Sequence, residues 1–572
     1  MKLIFGILCR SKCGLKFAPA VDKLPMKIPL NSLCALLVLF ACTRAPVTEN
    51  KDTLVVSVEQ ASAWTKNFNP LFPGGSRWPT GSGIYEPMMI FNSFEGRWIP
   101  WLAKGYEWSS DQKTLTINIR ENVKWSDGKP FTALDVQETF SLMKNHRALD
   151  GQNVWRFLDS VTASTSTTVE VSFSKVYSPG FGAIMHQVIV PAHVFGGLED
   201  PVRFTNPNPV GTGPFTELSV FRSQVYELEA NPYYWKGRTD VRKLRMPAYG
   251  SNDSATLAMI SGELDWAGHF IPAVEKTFVA RKPEFHDYWF PLNGPMVFLY
   301  LNTQKPPFDQ IEVRKALSMA INRKRVVEIA MYNYTRPGNA TGLSDIYKSW
   351  REDKASERGD WINFAPEKAR ALLEANGFRR AESGQLLGKD GKPVQLLIEV
   401  VSGWSDWVRA AQVIADDLKK LGVDASVKAY EFSAWFERLQ KGEFQVAISW
   451  SAKGATPYDF YRTMASKRTL KPQGEISPNN WHRFADSEMD QFLDAFENTN
   501  NPEEQAELAK KMQYRFVELV PAIPLFPNPS WGQFSTRRFT NFPTEENAYA
   551  DLSPVADFHR LLVLTSLKKR AN

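Results

Sequence analysis

The clearest pattern of apolar and polar positions lies between residues 394 and 450. Dense apolar runs alternate there with segments whose apolar residues recur at helical spacing, and the longer helical segment stops at Gly422, a residue suited to end a helix. The predicted elements are strands at 394–401, 423–430 and 444–450 and helices at 404–421 and 433–441. This βαβαβ order favours parallel strands joined by right-handed crossovers.

Parallel sheets of this kind bind ligands beyond the carboxyl ends of their strands. Two of those ends carry tryptophan, in Ser402-Gly403-Trp404 and in Ser449-Trp450-Ser451. We therefore expect Trp404 and Trp450 to lie close to a ligand.

The first half of the chain shows a different pattern. Apolar residues alternate with polar ones at 115–119 and at 169–173, and an early strand is predicted at 54–58. Thr132 and Asp135 are typical of a helix start. The first half is therefore predicted to be α+β, without internal repeats.

An apolar run over residues 35–42 is too short to span a bilayer, which takes about 20 residues. Basic residues precede it and Cys42 closes it, which is typical of a secretory signal. The ending Leu39-Phe40-Ala41-Cys42 resembles a bacterial lipobox and predicts a lipidated Cys42; an unmodified signal peptide is the alternative. A complete signal begins at Met26, so we expect translation to start there. The alternative is a start at Met1, which gives the signal a long amino-terminal region.

The charge and the cysteine content limit which classes of function and which kinds of fold are possible. Residues 1–41 contribute +5 of the formal net charge of +6, so the remainder is close to neutral and lacks the basic excess of a nucleic-acid-binding protein. All 4 cysteines lie in the first 42 residues, so the exported part is predicted to fold without disulfides. Its length permits a large core divided into lobes.

No catalytic motif stands out. The chain has no phosphate-binding glycine loop, no nucleophile elbow and no His-Glu-x-x-His, and none of its 7 histidines has metal-ligand spacing with another. We expect neither enzyme activity nor a cofactor. A lipid-anchored glycoside hydrolase is the alternative, because paired carboxylates need not be close in sequence.

Several ordered motifs resemble family 5 solute-binding proteins, the dipeptide- and oligopeptide-binding class of ABC importers. The motifs are Pro100-Trp101-Leu102-Ala103, Trp125-Ser126-Asp127-Gly128, Gly211-Thr212-Gly213-Pro214-Phe215, Gly262-Glu263-Leu264-Asp265 and Val313-Arg314-Lys315-Ala316. The resemblance implies an α/β, two-lobed periplasmic-binding-protein-like fold (type II) with an extra subdomain in the first lobe. It also implies a monomer in the periplasm or at the cell surface, and permease and ATPase subunits on separate chains.

The resemblance also implies a division into domains. We expect a signal peptide at 1–41, a lipid-anchored tether at 42–51, first-lobe segments at 52–92, 205–294 and 527–572, the extra subdomain at 93–204 and the second lobe at 295–526.

One position separates this chain from the family's peptide binders, which place an aspartate shortly after a strand-end tryptophan to pair the peptide ammonium group. Lys453 stands there, and a lysine repels an ammonium group. Together with the tryptophans this resembles the oligosaccharide-binding branch, because sugar rings stack on aromatic faces. The predicted ligand-binding residues are Trp404, Trp407, Trp435, Trp450, Lys453, Tyr458 and Asn69. A peptide ligand is the alternative.

Overall fold

The structure, a computed structural model, describes residues 51–58, 61–73, 83–556 and 558–571. Every element below belongs to one compact unit, residues 52–572. The predicted signal peptide, the start at Met26 and the lipidated Cys42 lie outside the described residues. Across the described ranges, no helix has the length and apolar character needed to cross a membrane.

The β-strands are numbered in chain order. They are β1 (Thr53–Ser57), β2 (Met89–Asn92), β3 (Arg97–Pro100), β4 (Ala103–Trp108), β5 (Thr114–Ile119), β6 (Leu158–Ala163), β7 (Thr168–Phe173), β8 (Phe215–Arg222), β9 (Val225–Ala230), β10 (Lys243–Pro247), β11 (Trp266–Ala267), β12 (His286–Tyr288), β13 (Met296–Leu301), β14 (Arg379–Arg380), β15 (Leu386–Leu387), β16 (Gln395–Val401), β17 (Asp424–Tyr430), β18 (Val446–Trp450), β19 (Ile523–Pro527), β20 (Gln533–Ser535), β21 (Phe539–Thr540) and β22 (Lys568–Lys569).

The α-helices are numbered in the same way. They are α1 (Ala133–Asn145), α2 (Gly180–Met185), α3 (Ala192–Phe195), α4 (Asn252–Ser261), α5 (Val274–Thr277), α6 (Ile311–Ala320), α7 (Arg323–Met331), α8 (Asp353–Arg358), α9 (Pro366–Ala375), α10 (Ser405–Leu421), α11 (Phe432–Lys441), α12 (Pro457–Ala465), α13 (Ser487–Glu497), α14 (Pro502–Leu519) and α15 (His559–Ser566).

The first lobe is built on a sheet in the order β12-β20-β11-β1-β10-β9-β8. Its central strand β1 runs parallel to β10 and β11, and all of its residues are buried. The predicted early strand is therefore confirmed. The structure adds that β1 is covered on both faces, which explains why apolar residues dominate it.

A second sheet, in the order β4-β5-β7-β6, forms the extra subdomain with α1. Alternate residues of β5 are buried, as the sequence predicts for a strand with one face on the core. The helix start is also confirmed, because the Asp135 carboxylate accepts a hydrogen bond from the Thr132 backbone N–H at 2.8 Å. Residues of both sheets, including Leu54 and Ile117, belong to one hydrophobic core, so the extra subdomain is packed directly onto the first lobe.

The second lobe is built on the sheet β17-β16-β18-β13-β19. Strand β16 runs parallel to β17 and to β18, and α10 and α11 connect these strands, which confirms the predicted βαβαβ unit. Helix α10 ends at Gly422, whose φ of +98° lies in the left-handed region that glycine adopts without strain.

In the described part of the chain, the backbone passes between the two lobes at residues 289–295 and 528–532. These crossings lie side by side: the Asn528 N–H donates to the Pro295 carbonyl at 2.8 Å, and the Ser530 N–H donates to the Pro291 carbonyl at 2.8 Å. A Cβ on Gly294 would come within 2.3 Å of the Asn528 carbonyl oxygen, so only glycine permits this approach. The paired crossings have the geometry of a hinge.

Candidate ligand-binding site

The carboxyl ends of β16, β17 and β18 meet at one edge of the second-lobe sheet because the three strands run parallel. Trp404 follows β16 and precedes α10, Phe432 begins α11 after β17, and Trp450 is the last residue of β18. Sequence alone therefore placed Trp404 and Trp450 correctly at neighbouring strand ends.

These side chains form a continuous aromatic cluster. Its members are Trp404, Trp407, Phe432, Trp435, Phe436, Trp450 and Trp481. Trp450 is central: its ring centroid lies 5.7 Å from those of Trp435 and Trp481 and 5.9 Å from that of Trp404. Four predicted ligand residues, Trp404, Trp407, Trp435 and Trp450, are thus brought together.

The members of the aromatic cluster differ in exposure. Trp407 and Trp435 are 3% and 1% exposed, and they pack into the interior of the second lobe. Trp404 and Trp450 are half-buried, and each contacts both hydrophobic cores of that lobe. The rings of Trp404 and Trp450 are therefore only partly covered by the protein, as are those of Phe432 and Phe436.

The sequence analysis missed Trp481, which is 4% exposed and packs edge-on against Trp450 with an interplanar angle of 84°. It lies in an irregular segment between α12 and α13. No periodicity marks such a segment, so only its place in the folded chain reveals its membership of the aromatic cluster.

Three indole N–H groups of the aromatic cluster are buried and have no hydrogen-bond partner among the described residues. They belong to Trp404, Trp435 and Trp481. An unpaired buried donor costs about 1–3 kcal/mol, and edge-on aromatic faces compensate for only part of this. The cluster therefore holds donors that no oxygen of the described residues accepts from.

Lys453 lies in the loop between β18 and α12, and its side chain is exposed. The loop is anchored beside it, because the Gly454 N–H donates to the Tyr347 hydroxyl at 2.8 Å. The loop therefore presents a positive charge three residues after Trp450, where an ammonium group would be repelled.

The other two predicted ligand residues lie outside the aromatic cluster. The Asn69 amide donates to the carbonyls of Pro201 and Phe204, and its oxygen accepts from the Leu71 N–H. The Tyr458 hydroxyl donates to Glu497 Oε2 at 2.7 Å. Both side chains are fully buried and hold protein segments together here, and their roles as ligand contacts stay predictions.

The two lobes touch next to the aromatic cluster. The Asn252 N–H of α4 donates to the Gly403 carbonyl at 3.0 Å, and its amide donates to Asp406 Oδ1 at 3.2 Å. Burial raises the pKa of Asp406 to about 6. A Cβ on Gly403 would lie 2.6 Å from the Gly250 carbonyl, so glycine permits this close contact between the lobes.

The family motifs away from the aromatic cluster have structural roles. Glu86 accepts a hydrogen bond from the Trp101 indole at 2.7 Å, and burial raises its pKa to about 7. Asp265 pairs with Arg538 at 2.7 Å and accepts from the Val55 N–H at 2.8 Å. These buried carboxylates tie distant parts of the first lobe together. Among the described residues, no group of three or more His, Cys, Asp or Glu side chains is arranged to hold a metal ion.

Comparison with known families identifies the class of protein. The family described as bacterial extracellular solute-binding proteins, family 5 Middle, matches residues 97–471. The chain belongs to family 5 of the bacterial extracellular solute-binding proteins. This confirms the predicted family, the two-lobed α/β fold and a binding protein rather than an enzyme, and the hydrolase alternative loses its basis.

Individual relatives differ in what they bind. The chain is 26% identical over 437 residues to the nickel-binding periplasmic protein of Escherichia coli, covering 72% of this chain and 78% of the relative. It is 25% identical over 488 residues to the dipeptide-binding protein of the same organism, covering 80% and 86%. A mannohexaose-bound periplasmic oligopeptide-binding protein of Thermotoga maritima superimposes with a TM-score of 0.84 at 25% identity, covering 92% of this chain and 100% of that one.

Proposed function

We propose that this protein captures an oligosaccharide between its two lobes and delivers it to the permease of an ABC importer. The observation that carries the proposal is the aromatic cluster at the carboxyl ends of β16, β17 and β18, with Trp404 and Trp450 half-buried. This is the edge at which sheets of this type receive ligands.

The chemistry of the aromatic cluster suits a sugar. A pyranose ring presents polarised C–H groups on its flat face, and an aromatic face carries negative quadrupole charge, so the two attract when stacked. The half-buried rings of Trp404 and Trp450 therefore offer stacking surfaces for a sugar. The mannohexaose-bound relative supports this ligand class.

A peptide is the second candidate, favoured by the similarity to a dipeptide-binding protein. Lys453 argues against it, because its exposed ammonium group follows Trp450 and repels the amino terminus of a peptide. A peptide held by its amino terminus needs a carboxylate there instead.

The proposal also covers how the protein delivers its ligand to the importer at the membrane. The permease and ATPase are separate chains, and lipidation of Cys42 holds the protein at the membrane, in the periplasm or at the cell surface. The first lobe comprises residues 52–92, 205–294 and 527–572, the second lobe residues 295–526, and the extra subdomain residues 93–204. Replacing Cys42 with Ser is expected to release the protein from the membrane fraction; an unchanged membrane fraction contradicts the anchor.

A thermal-shift comparison tests the ligand class. Mannohexaose is expected to raise the melting temperature in a concentration-dependent way, since a ligand at 100 times its dissociation constant stabilises the native state by about 2.7 kcal/mol. Trialanine at the same concentrations serves as the control and is expected to have no effect. Stabilisation by trialanine alone favours the peptide candidate.

A further inference from the structure

The extra subdomain contacts the second lobe at a place separate from the hinge crossings. The segment after β7, residues 174–179, reaches the end of α13. The Ser178 N–H donates to the Glu497 carbonyl at 2.8 Å, and the Ser178 hydroxyl donates to the Phe496 carbonyl at 3.1 Å. Lys175 Nζ lies 2.9 Å from Glu497 Oε1.

Two tyrosines extend this contact into the protein interior. The hydroxyls of Tyr177 and Tyr458 lie 3.4 Å apart, and both residues are buried. Tyr177 is held from its own side, since its ring stacks on Phe157 at 4.3 Å and its hydroxyl accepts from Arg156. The subdomain therefore presents a fixed side chain to the second lobe.

Glu497 interacts with cations of both the second lobe and the extra subdomain. Its side chain is 4% exposed, Arg468 of the second lobe lies 2.8 Å away, and Lys175 supplies a cation from the subdomain. Burial alone would raise the pKa of Glu497, but hydrogen bonds from Lys175 and Tyr458 and the charge of Arg468 hold it below its ordinary value. If the extra subdomain and the second lobe separated, the Glu497 carboxylate would lose its ion pair with Lys175.

The subdomain shares its hydrophobic core with the first lobe, so it moves with that lobe. We propose that the contact formed by Lys175, Tyr177 and Ser178 with Tyr458 and Glu497 is a latch that holds the two lobes in the arrangement of this structure. The extra subdomain thereby gains a function in holding the lobes together. The latch is also connected to the ligand site, because Tyr458 lies in the first turn of α12, directly after the loop that carries Lys453.

The test needs no ligand, so its outcome is independent of the sugar proposal. Lys175→Ala and Tyr177→Phe are combined in the full chain, and small-angle X-ray scattering measures the radius of gyration. Lys104→Ala is the matched control, since it removes an exposed ion pair with Glu121 inside the same subdomain. The latch variant is expected to have a larger radius of gyration than wild type, and the control the same radius.

Hydrogen exchange at the Ser178 amide reports the same opening. We expect this amide to exchange about tenfold faster in the latch variant than in wild type. The variant loses the hydrogen bond between Lys175 and the charged Glu497 carboxylate, which helps to hold the two segments together. Should the double variant fold poorly, Lys175→Ala alone carries the test, because that side chain is half-exposed. Scattering curves of the latch variant and the control that superimpose overturn the proposal, whatever the exchange rate.

Discussion

The unpartnered indole N–H groups lead to a prediction about two buried tryptophans of the second lobe. Trp361 and Trp435 are 2% and 1% exposed, so replacing either with Phe removes a similar amount of buried ring. They differ in one respect. The Trp361 N–H donates to the Val517 carbonyl at 2.9 Å, whereas the Trp435 N–H has no partner among the described residues.

The magnitude follows from what each substitution leaves behind. Val517 lies in the last turn of α14, where carbonyls have no partner within the helix, so Trp361→Phe strands a buried acceptor. An unpaired buried acceptor costs about 1–3 kcal/mol. Trp435→Phe instead removes an unpaired donor. We therefore expect Trp361→Phe to lower the free energy of unfolding by about 2 kcal/mol more than Trp435→Phe.

Urea denaturation of the two variants measures this difference. Both residues lie in the second lobe, so the same unfolding transition reports both, and linear extrapolation gives each free energy of unfolding. Equal losses, or a larger loss for Trp435→Phe, would refute the reasoning. Such a result would mean that the Trp435 N–H is already bonded.

Three further predictions concern charged groups. Because burial raises the pKa of Glu86 to about 7, the folded state keeps a proton that the unfolded state has lost, so the free energy of unfolding falls as pH rises toward 7. Glu86 contributes about 1.4 kcal/mol per pH unit to this slope, and Glu86→Gln is expected to reduce the slope by that amount when unfolding is measured from pH 4.5 to 8; an unchanged slope contradicts the assignment. Arg538→Met strands the buried Asp265 carboxylate and is expected to cost about 3–5 kcal/mol in urea denaturation, and a loss below 1 kcal/mol would show that the pair contributes little. Lys453→Asp replaces repulsion of an ammonium group by attraction and is expected to produce trialanine binding that calorimetry detects, while Lys467→Asp, the control, is expected to leave trialanine unbound as in wild type; no binding to Lys453→Asp contradicts the role given to Lys453.

The βαβαβ unit was predictable because its signals are local. The apolar runs of β16 and β18 and the stop at Gly422 each lie within a few residues, and their parallel order follows from short crossovers. The extent of burial of β1 was not predictable, since it depends on strands β10 and β11 that come much later in the chain.

The site was predictable only in part, for the same reason. Trp404 and Trp450 end strands, so their position follows from the local pattern. Trp481 joins the aromatic cluster from an irregular segment, and Tyr458 meets Tyr177 across 281 residues of sequence. Contacts of this length arise from the packing of lobes and leave no periodic trace in the sequence.

Isothermal titration calorimetry with mannohexaose tests the central claim most directly. The wild-type protein is expected to bind it, and Trp404→Ala is expected to weaken binding at least about fivefold, since stacking contributes on the order of 1 kcal/mol beyond buried area. Tyr233→Ala, which removes an exposed aromatic ring from the first lobe, is the control and should bind as wild type does. Mannohexaose binding that is unaffected by Trp404→Ala, or trialanine binding in its place, would contradict an oligosaccharide site at the aromatic cluster.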